Sequence, residues 1–319
     1  MKPHCKLNRV VVEAPATSAN LGPGFDVFAI ALGKLRDRLE IDFSPGGKLD
    51  VSLTMENASE IPSNPSRNAA GAVMLSMAKK YHVKGKIAGR LIKRVPLGVG
   101  LGSSGASSAA AAFAMKRAFE LRADASELVA YAGVGEAVAS GAAHLDNVSA
   151  SLLGGFVIVR GKGAEPIRVK TPPSLSLVVA TPEVKLPERK TEYARSLIPK
   201  TVLTGQVASN VSMAATMIVG LANGDVRMIG EGMEDAIVER ARAKMVPGFR
   251  AVKKAAKESG AAGVCLSGAG PSMLSFVDNK EAKPRAVLEA MLGAFRSHRA
   301  EAKGFITSVG EGARQVEGS

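Results

Sequence analysis

The sequence predicts an α+β protein of two domains. The 319 residues suffice for two domains and a substantial core. Strand-like and helix-like segments mix without the regular βαβ alternation of a parallel sheet. A Pro- and Lys-rich stretch over 161–174 interrupts the pattern, and the division within it is set at 165/166, giving units 1–165 and 166–319.

Residues 8–14, NRVVVEA, read as a strand. The turn-rich PATSANLGPGFD follows, then VFAIAL and DRLEIDF as further strands, and KLDVSLTM as an alternating run. From Asn68 to Tyr81 apolar residues recur at helical spacing, and GRLIKRVP is a strand leading into PLGVGLGSSGASSAAAA, 96–112. Two helices are expected next, about 104–121 and 126–140, then a turn over 141–155 and the strand FVIVR. In the second unit LSLVVATP and GVCLSGAGPSMLSFV read as strands around helices near 204–222, 225–242 and 247–259, with EAKPRAVLEAMLGAF a further helix. There is no internal repeat.

Composition narrows the function classes. The formal charge of +13 suits nucleic acid, phosphorylated small molecules or a solvated surface. Nucleic acid is the weakest of these, because the chain has no Trp, three Tyr and ten Phe for base stacking and no known nucleic-acid motif. The first residues hold no apolar segment of signal-peptide length, and mostly apolar stretches fall short of the ~18 residues that span a bilayer, so a cytoplasmic protein with no membrane partner is expected. Cys5 and Cys265 are the only cysteines and suggest neither a disulfide framework nor a zinc site.

The bare loop before the alanine-rich helix has the physics of an anion cradle. Glycines let backbone N–H groups approach a ligand closely, and the helix start adds unpaired N–H groups and the positive end of its dipole. GLGSSG, 100–105, formally fits the dinucleotide fingerprint G-x-G-x-x-G, but a second helix follows where that fold needs a strand and an acidic residue ~20 positions on. No Gly-Lys-Ser/Thr ends the loop, and the protein-kinase signatures are missing. A tight turn with packing glycines remains the alternative to a phosphate site.

Three motifs in order, PATSANLGPGFD, PLGVGLGSSGASS and LSGAGPS (266–272), resemble the signatures of the GHMP small-molecule kinases, the group named for galactokinase, homoserine kinase, mevalonate kinase and phosphomevalonate kinase. The resemblance runs through nearly the whole chain. Thr17 and Ser18 stand where the mevalonate branches place a basic residue, and SANLGPGFD, HLDNVSASLLGG (144–155), TEYAR (191–195) and ERAR (239–242) are similar to the homoserine-kinase branch, with Leu145 and Arg240 where Pro is usual.

The resemblance implies a ribosomal-protein-S5-like N-terminal domain, a ferredoxin-like C-terminal domain, ATP and Mg²⁺ as cofactors, and L-homoserine as substrate. It implies that Pro96, Leu97, Gly98, Val99, Gly100, Leu101, Gly102, Ser103, Ser104, Gly105, Ala106 and Ser107 hold the nucleotide, with Asn68 either a further contact or a helix cap. Ser104 and Glu136 are implied as Mg²⁺ ligands. Arg195 and Arg242 suit a carboxylate gripped in bidentate fashion, Asp26 with Asn20 an ammonium, and Asn147 the reacting hydroxyl, supported by His144 and Asp146. Thr191 and Gly268 complete the implied substrate site. Phosphoryl transfer needs positioning and charge neutralisation more than a strong base, and none is marked. Family members are often dimers, though no sequence feature marks an interface. A kinase for shikimate or mevalonate, a catalytically silent sensor of the same fold and a nucleic-acid module remain as competitors.

Overall fold

The Val-rich run near the N-terminus extends further than its sequence suggests. The computed structural model describes residues 7–161, 165–185, 187 and 190–318, so Cys5 lies outside the described residues. β1 (Arg9–Ala19) continues through the stretch expected as a turn, because a register shift between Pro15 and Thr17 absorbs the proline and lets Thr17, Ser18 and Ala19 pair with Ala31, Ile30 and Ala29. The strands expected at 27–32 and 37–43 form one strand, β2 (Phe28–Pro45). β3 (Leu49–Glu56) lies parallel to β4 (Gly85–Ile92), joined through α1 (Ala69–Lys80). β4 ends at Ile92, so 93–96 leave the sheet as the approach to the glycine loop.

α2 (Ser103–Ala118) and α3 (Ala125–Ser140) follow as expected, the latter started by a capping box between Asp124 and Glu127. The segment expected as a turn contains α4 (Leu145–Leu153), whose Val148, Ala150 and Leu152 are buried. Next come β5 (Phe156–Arg160), β6 (Glu165–Val169), β7 (Leu175–Pro182), α5 (Lys190–Ser196) and α6 (Thr204–Asn223). The single helix expected over 225–242 is split into α7 (Val226–Glu231) and α8 (Val238–Arg242). The Asp235 carboxylate accepts from the N–H groups of Ile237, Val238 and Glu239 and restarts the chain there. α9 (Phe249–Glu258), β8 (Gly263–Leu266), β9 (Met273–Asp278), α10 (Pro284–Ser297), β10 (Ala302–Ser308) and β11 (Arg314–Gly318) complete the chain.

The first sheet has the order β11-β1-β2-β4-β3, with β5 on β2 and β6 on β5; the second is antiparallel, β10-β7-β9-β8. β6 crosses the 165/166 division, and β11 returns the last residues to β1. Val10, Leu39, Ile41 and Ile87 pack against Met74, Ala111 and Met115 of α1 and α2. A second core joins the sheets, with Leu21, Ile30 and Phe156 meeting Leu177, Leu274 and Phe276 together with Met217 and Ile229. α9 and α10 cover the outer face through Val252, Val287, Met291 and Phe295. α6 corrects one expectation: with Ser, Thr and Asn in place of charges, its 20 residues are long and apolar enough to cross a membrane by length and composition. Its Met217 and Leu221 are packed in the second core.

Candidate active site

A cleft of about 870 Å³ opens where the start of α2 meets α5, α8 and the turn between β8 and β9. Its glycine loop is closed at the neck by a buried network. Asp37, fully buried on β2, accepts from the N–H groups of Arg94 (2.9 Å) and Val95 (3.0 Å), from Ser107 Oγ (3.0 Å) and from the Lys93 ammonium. Lys93 also donates to Ser103 O and Ser107 Oγ, each at 2.9 Å, and Ser103 Oγ donates to Val95 O at 2.9 Å. Burial pushes the Lys93 pKa down, opposed by the Asp37 charge.

Within the loop the carbonyls are turned into the protein. Val99 O accepts from Ser272 N–H (3.1 Å), Gly100 O from Ser267 Oγ (2.8 Å) and Leu101 O from Thr17 N–H (3.1 Å). With the carbonyls so occupied, the loop and the first turn of α2 keep N–H groups for an anion. Gly100 has φ +87°, and a Cβ there would lie 2.3 Å from Ser267 O, so no side chain fits between the loop and the second domain.

The motif segments bring Asn20, Asp26, Arg195 and Arg242 together. Asn20 Nδ2 donates to Gly268 O (2.9 Å), and its Oδ1 accepts from Asp26 N–H (3.2 Å). Arg242 on α8 is 3% exposed and donates to Ala194 O (3.1 Å) and Gly268 O (3.2 Å). Arg195 on α5 reaches both Asp26 carboxylate oxygens at 3.2 and 3.0 Å. Both guanidinium groups stand over the Phe25 ring, 5.5 and 5.4 Å from its centroid. Burial lowers the Arg242 pKa to about 10, with Arg195 adding to the effect and Asp26 opposing it.

At the start of α4, Thr17 Oγ1 donates to Asn147 Oδ1 (2.7 Å) and fixes the amide. Asp146 is buried, which raises its pKa to about 6 with help from the Asp26 charge, while the Asn147 N–H opposes. Burial alone would lower the His144 pKa, but the hydrogen bond and charge of Glu136 prevail and raise it. Glu136 is 4% exposed; its Oε1 lies 3.3 Å from His144 Nδ1, and among the described residues its buried Oε2 has no hydrogen-bond partner.

Among the described residues no three or more His, Cys, Asp or Glu side chains gather as a metal cage. Mg²⁺ needs no such cage, since it takes one or two protein oxygens and fills its octahedron with waters and phosphate oxygens. The unpartnered Glu136 Oε2, with Ser104 lining the same cleft, fits that demand.

All the residues given a binding, metal or catalytic role from the sequence line the cleft except Val99, Gly105 and Ala106. Ala106 is fully buried, and Gly105 backs onto Asn147, where a Cβ would meet the Asn147 Cβ at 3.1 Å, so these positions pack the helix. Asn68 caps α1, its Oδ1 accepting from Ala70 and Gly71 N–H and its Nδ2 donating to Pro62 O. Phe25, Lys93 and Lys190 escaped sequence reasoning, and Thr17 stands there only as a mark of the branch, not as the partner of Asn147. Thr17 and Phe25 sit inside a quoted motif, Lys93 lies just past the end of β4, and no local signal marks Lys190.

The fold, the glycine loop and the paired-arginine pocket define a class, and the comparisons agree with it. Residues 68–155 match the GHMP kinases N terminal domain and 217–296 the GHMP kinases C terminal domain. The chain belongs to the GHMP kinase family, with its two-domain α+β fold. It is 44% identical over 269 residues to the homoserine kinase of Thermoplasma volcanium (84% of each chain), and 38% identical over 304 residues to that of Natronomonas pharaonis (95% of this chain, 99% of the relative). The crystal structure of homoserine kinase from Cytophaga hutchinsonii superposes with a TM-score of 0.90 at 30% identity, covering 98% of this chain and 99% of that one. Within the family the chain groups with the homoserine kinases, ATP-dependent enzymes.

Proposed function

We propose that the chain transfers the γ-phosphoryl group of ATP to the side-chain hydroxyl of L-homoserine, giving O-phospho-L-homoserine and ADP on the way to threonine. The observation that carries this reading is the pocket of Arg195, Arg242 and Asp26 around Phe25, which offers fixed cations and an acid to a zwitterion. Arg242, held by two carbonyls, grips the carboxylate with Arg195. Asp26 exchanges Arg195 for the substrate ammonium. Thr17 occupies the Asn147 amide oxygen and Asp146 Oδ1 accepts one Nδ2 N–H at 3.4 Å, leaving the other N–H to hold the acceptor hydroxyl beside the loop. Glu136 and Ser104 would hold Mg²⁺, which would supply charge neutralisation to the nucleotide's phosphates. The loop N–H groups stabilise the group in transfer, and no side chain is assigned as base, since Asp26 is spent on the ammonium. A shikimate acceptor would leave Asp26 without its cation. A cytoplasmic location and a homodimer belong to the same reading.

The test is ADP release by purified protein with Mg²⁺-ATP and L-homoserine, shikimate, mevalonate or no acceptor in parallel. Turnover with homoserine alone, lost in Arg195→Ala and Arg242→Ala, is expected. Turnover with another alcohol overturns the substrate, and ATP binding without turnover points to a silent sensor.

A further inference from the structure

Lys190 opens α5, one residue before Thr191. Its side chain lines the cleft and the residue is 8% exposed. An ammonium has three donors; among the described residues one is used, on Gly270 O at 2.6 Å. No carboxylate pairs with it in that set, and the charge that bears on it is the like charge of Arg242. A buried cation beside another cation is costly unless an anion arrives to compensate it.

The carbonyl that holds Lys190 locates that anion. Gly270 O lies 2.8 Å from the point where a side chain on Gly100 would begin. One carbonyl oxygen therefore separates the Lys190 ammonium from the second glycine of the phosphate loop. The acceptor's carboxylate already has two guanidinium groups, held over Phe25.

We propose that Lys190 contacts the γ-phosphoryl group in transfer, acting as a catalytic cation delivered to the phosphate loop by the second domain. In that step the bond from the acceptor oxygen to phosphorus forms and the bond from phosphorus to the β,γ-bridging oxygen breaks, ADP carrying the electron pair away. The hydroxyl proton passes to solvent, and Lys190 stays protonated throughout. The inference rests on the kinase reading above.

Three variants separate this role from a latch between α5 and the Gly270 turn. Lys190→Met removes charge and donor, Lys190→Gln can keep the bond to Gly270 O without the charge, and Lys190→Arg keeps the charge. Dissociation constants for ADP and for a non-hydrolysable ATP analogue, with Mg²⁺, are measured beside kcat and the KM for homoserine. Expected for Met and Gln are an analogue affinity about 10-fold weaker with ADP within 2-fold, a kcat about 100-fold lower and a homoserine KM within 3-fold, with Arg recovering part of the loss. Gln indistinguishable from wild type, ADP and analogue weakened equally, or a loss confined to homoserine KM each overturns the proposal. The analogue-to-ADP ratio needs no acceptor, so wild-type protein silent toward homoserine refutes the proposed function and leaves the Lys190 comparison readable.

Discussion

Gly102→Ala probes the junction between the phosphate loop and the acceptor site. Gly102 caps α2 in the left-handed region, φ +63° and ψ 35°. A Cβ there would lie 1.9 Å from Thr17 Oγ1 and 2.8 Å from Asn147 Oδ1, two atoms hydrogen-bonded to each other at 2.7 Å. The left-handed backbone costs a non-glycine residue about 1–2 kcal/mol. Thr17 must also swing aside, and the lost hydrogen bond costs about 1 kcal/mol more. A loss of about 2–3 kcal/mol follows, a large share of the roughly 5–15 kcal/mol that a folded protein holds. Asn147 then loses its restraint, and kcat should fall by about 100-fold, the penalty typical of a reacting group displaced by about 1 Å. A double-mutant cycle with Thr17→Ala, followed by urea unfolding and turnover, supplies the decisive term. Removing Oγ1 makes room for the new methyl, so the double variant should be more stable than the summed single losses predict, by about 1 kcal/mol or more. An additive cycle, or a Gly102→Ala protein with wild-type stability and kcat, would refute the reasoning.

Three further perturbations test the site. Glu136→Gln removes the buried carboxylate with the unpartnered oxygen, so kcat should fall about 100-fold and half-saturation by Mg²⁺ should rise about 10-fold, with the melting temperature unchanged or higher; an unchanged Mg²⁺ titration would count against Glu136 as a ligand. Asp37→Asn leaves the Lys93 ammonium buried without its counter-charge and should cost about 3–5 kcal/mol in urea unfolding, most of it recovered in Asp37→Leu with Lys93→Met; no recovery would mean that Asp37 acts through its backbone N–H partners instead. Burial lowers the Lys190 pKa from 10.5 to about 8, so between those values the unfolded chain binds more protons and wild-type stability rises with pH. Below pH 8 Lys190→Met should therefore exceed wild type by up to about 3 kcal/mol, less the lost Gly270 bond, and the advantage should fade as pH approaches 10; a difference in melting temperature that is flat with pH rules this out.

The site was legible where its chemistry is contiguous. A loop that aims N–H groups at an anion must be written in one run of glycines, and SANLGPGFD, HLDN and GAGPS are likewise short strings whose turns place Asn20, Asp26, Asn147 and Gly268. What escaped is long-range. Lys93 and Asp37 meet across 56 positions, and neither residue type marks its partner. β6 and β11 are edge strands, mostly exposed, so they lack the alternation that marks a half-buried strand. α4 hides in a segment with glycines at both ends, which reads as a turn until tertiary packing buries its apolar face.

The β8–β9 turn explains why the residues proposed for nucleotide and for acceptor cannot be treated as separate sites. Ser267 Oγ and Ser272 N–H hold the carbonyls of Gly100 and Val99, while Gly268 accepts from Asn20 and Arg242 and donates to Ala19 O at 3.0 Å. Behind it, Cys265 and Leu274 are rooted in the core that joins the two sheets. This turn is thus a fixed spacer between phosphate loop and acceptor pocket. α5 is anchored differently: its two cations are held by Gly270 O and the Asp26 carboxylate. On the proposed function Asp26 is the group that an acceptor ammonium would claim, and the element carrying Thr191, Lys190 and Arg195 is then the one whose contacts would change as the site fills.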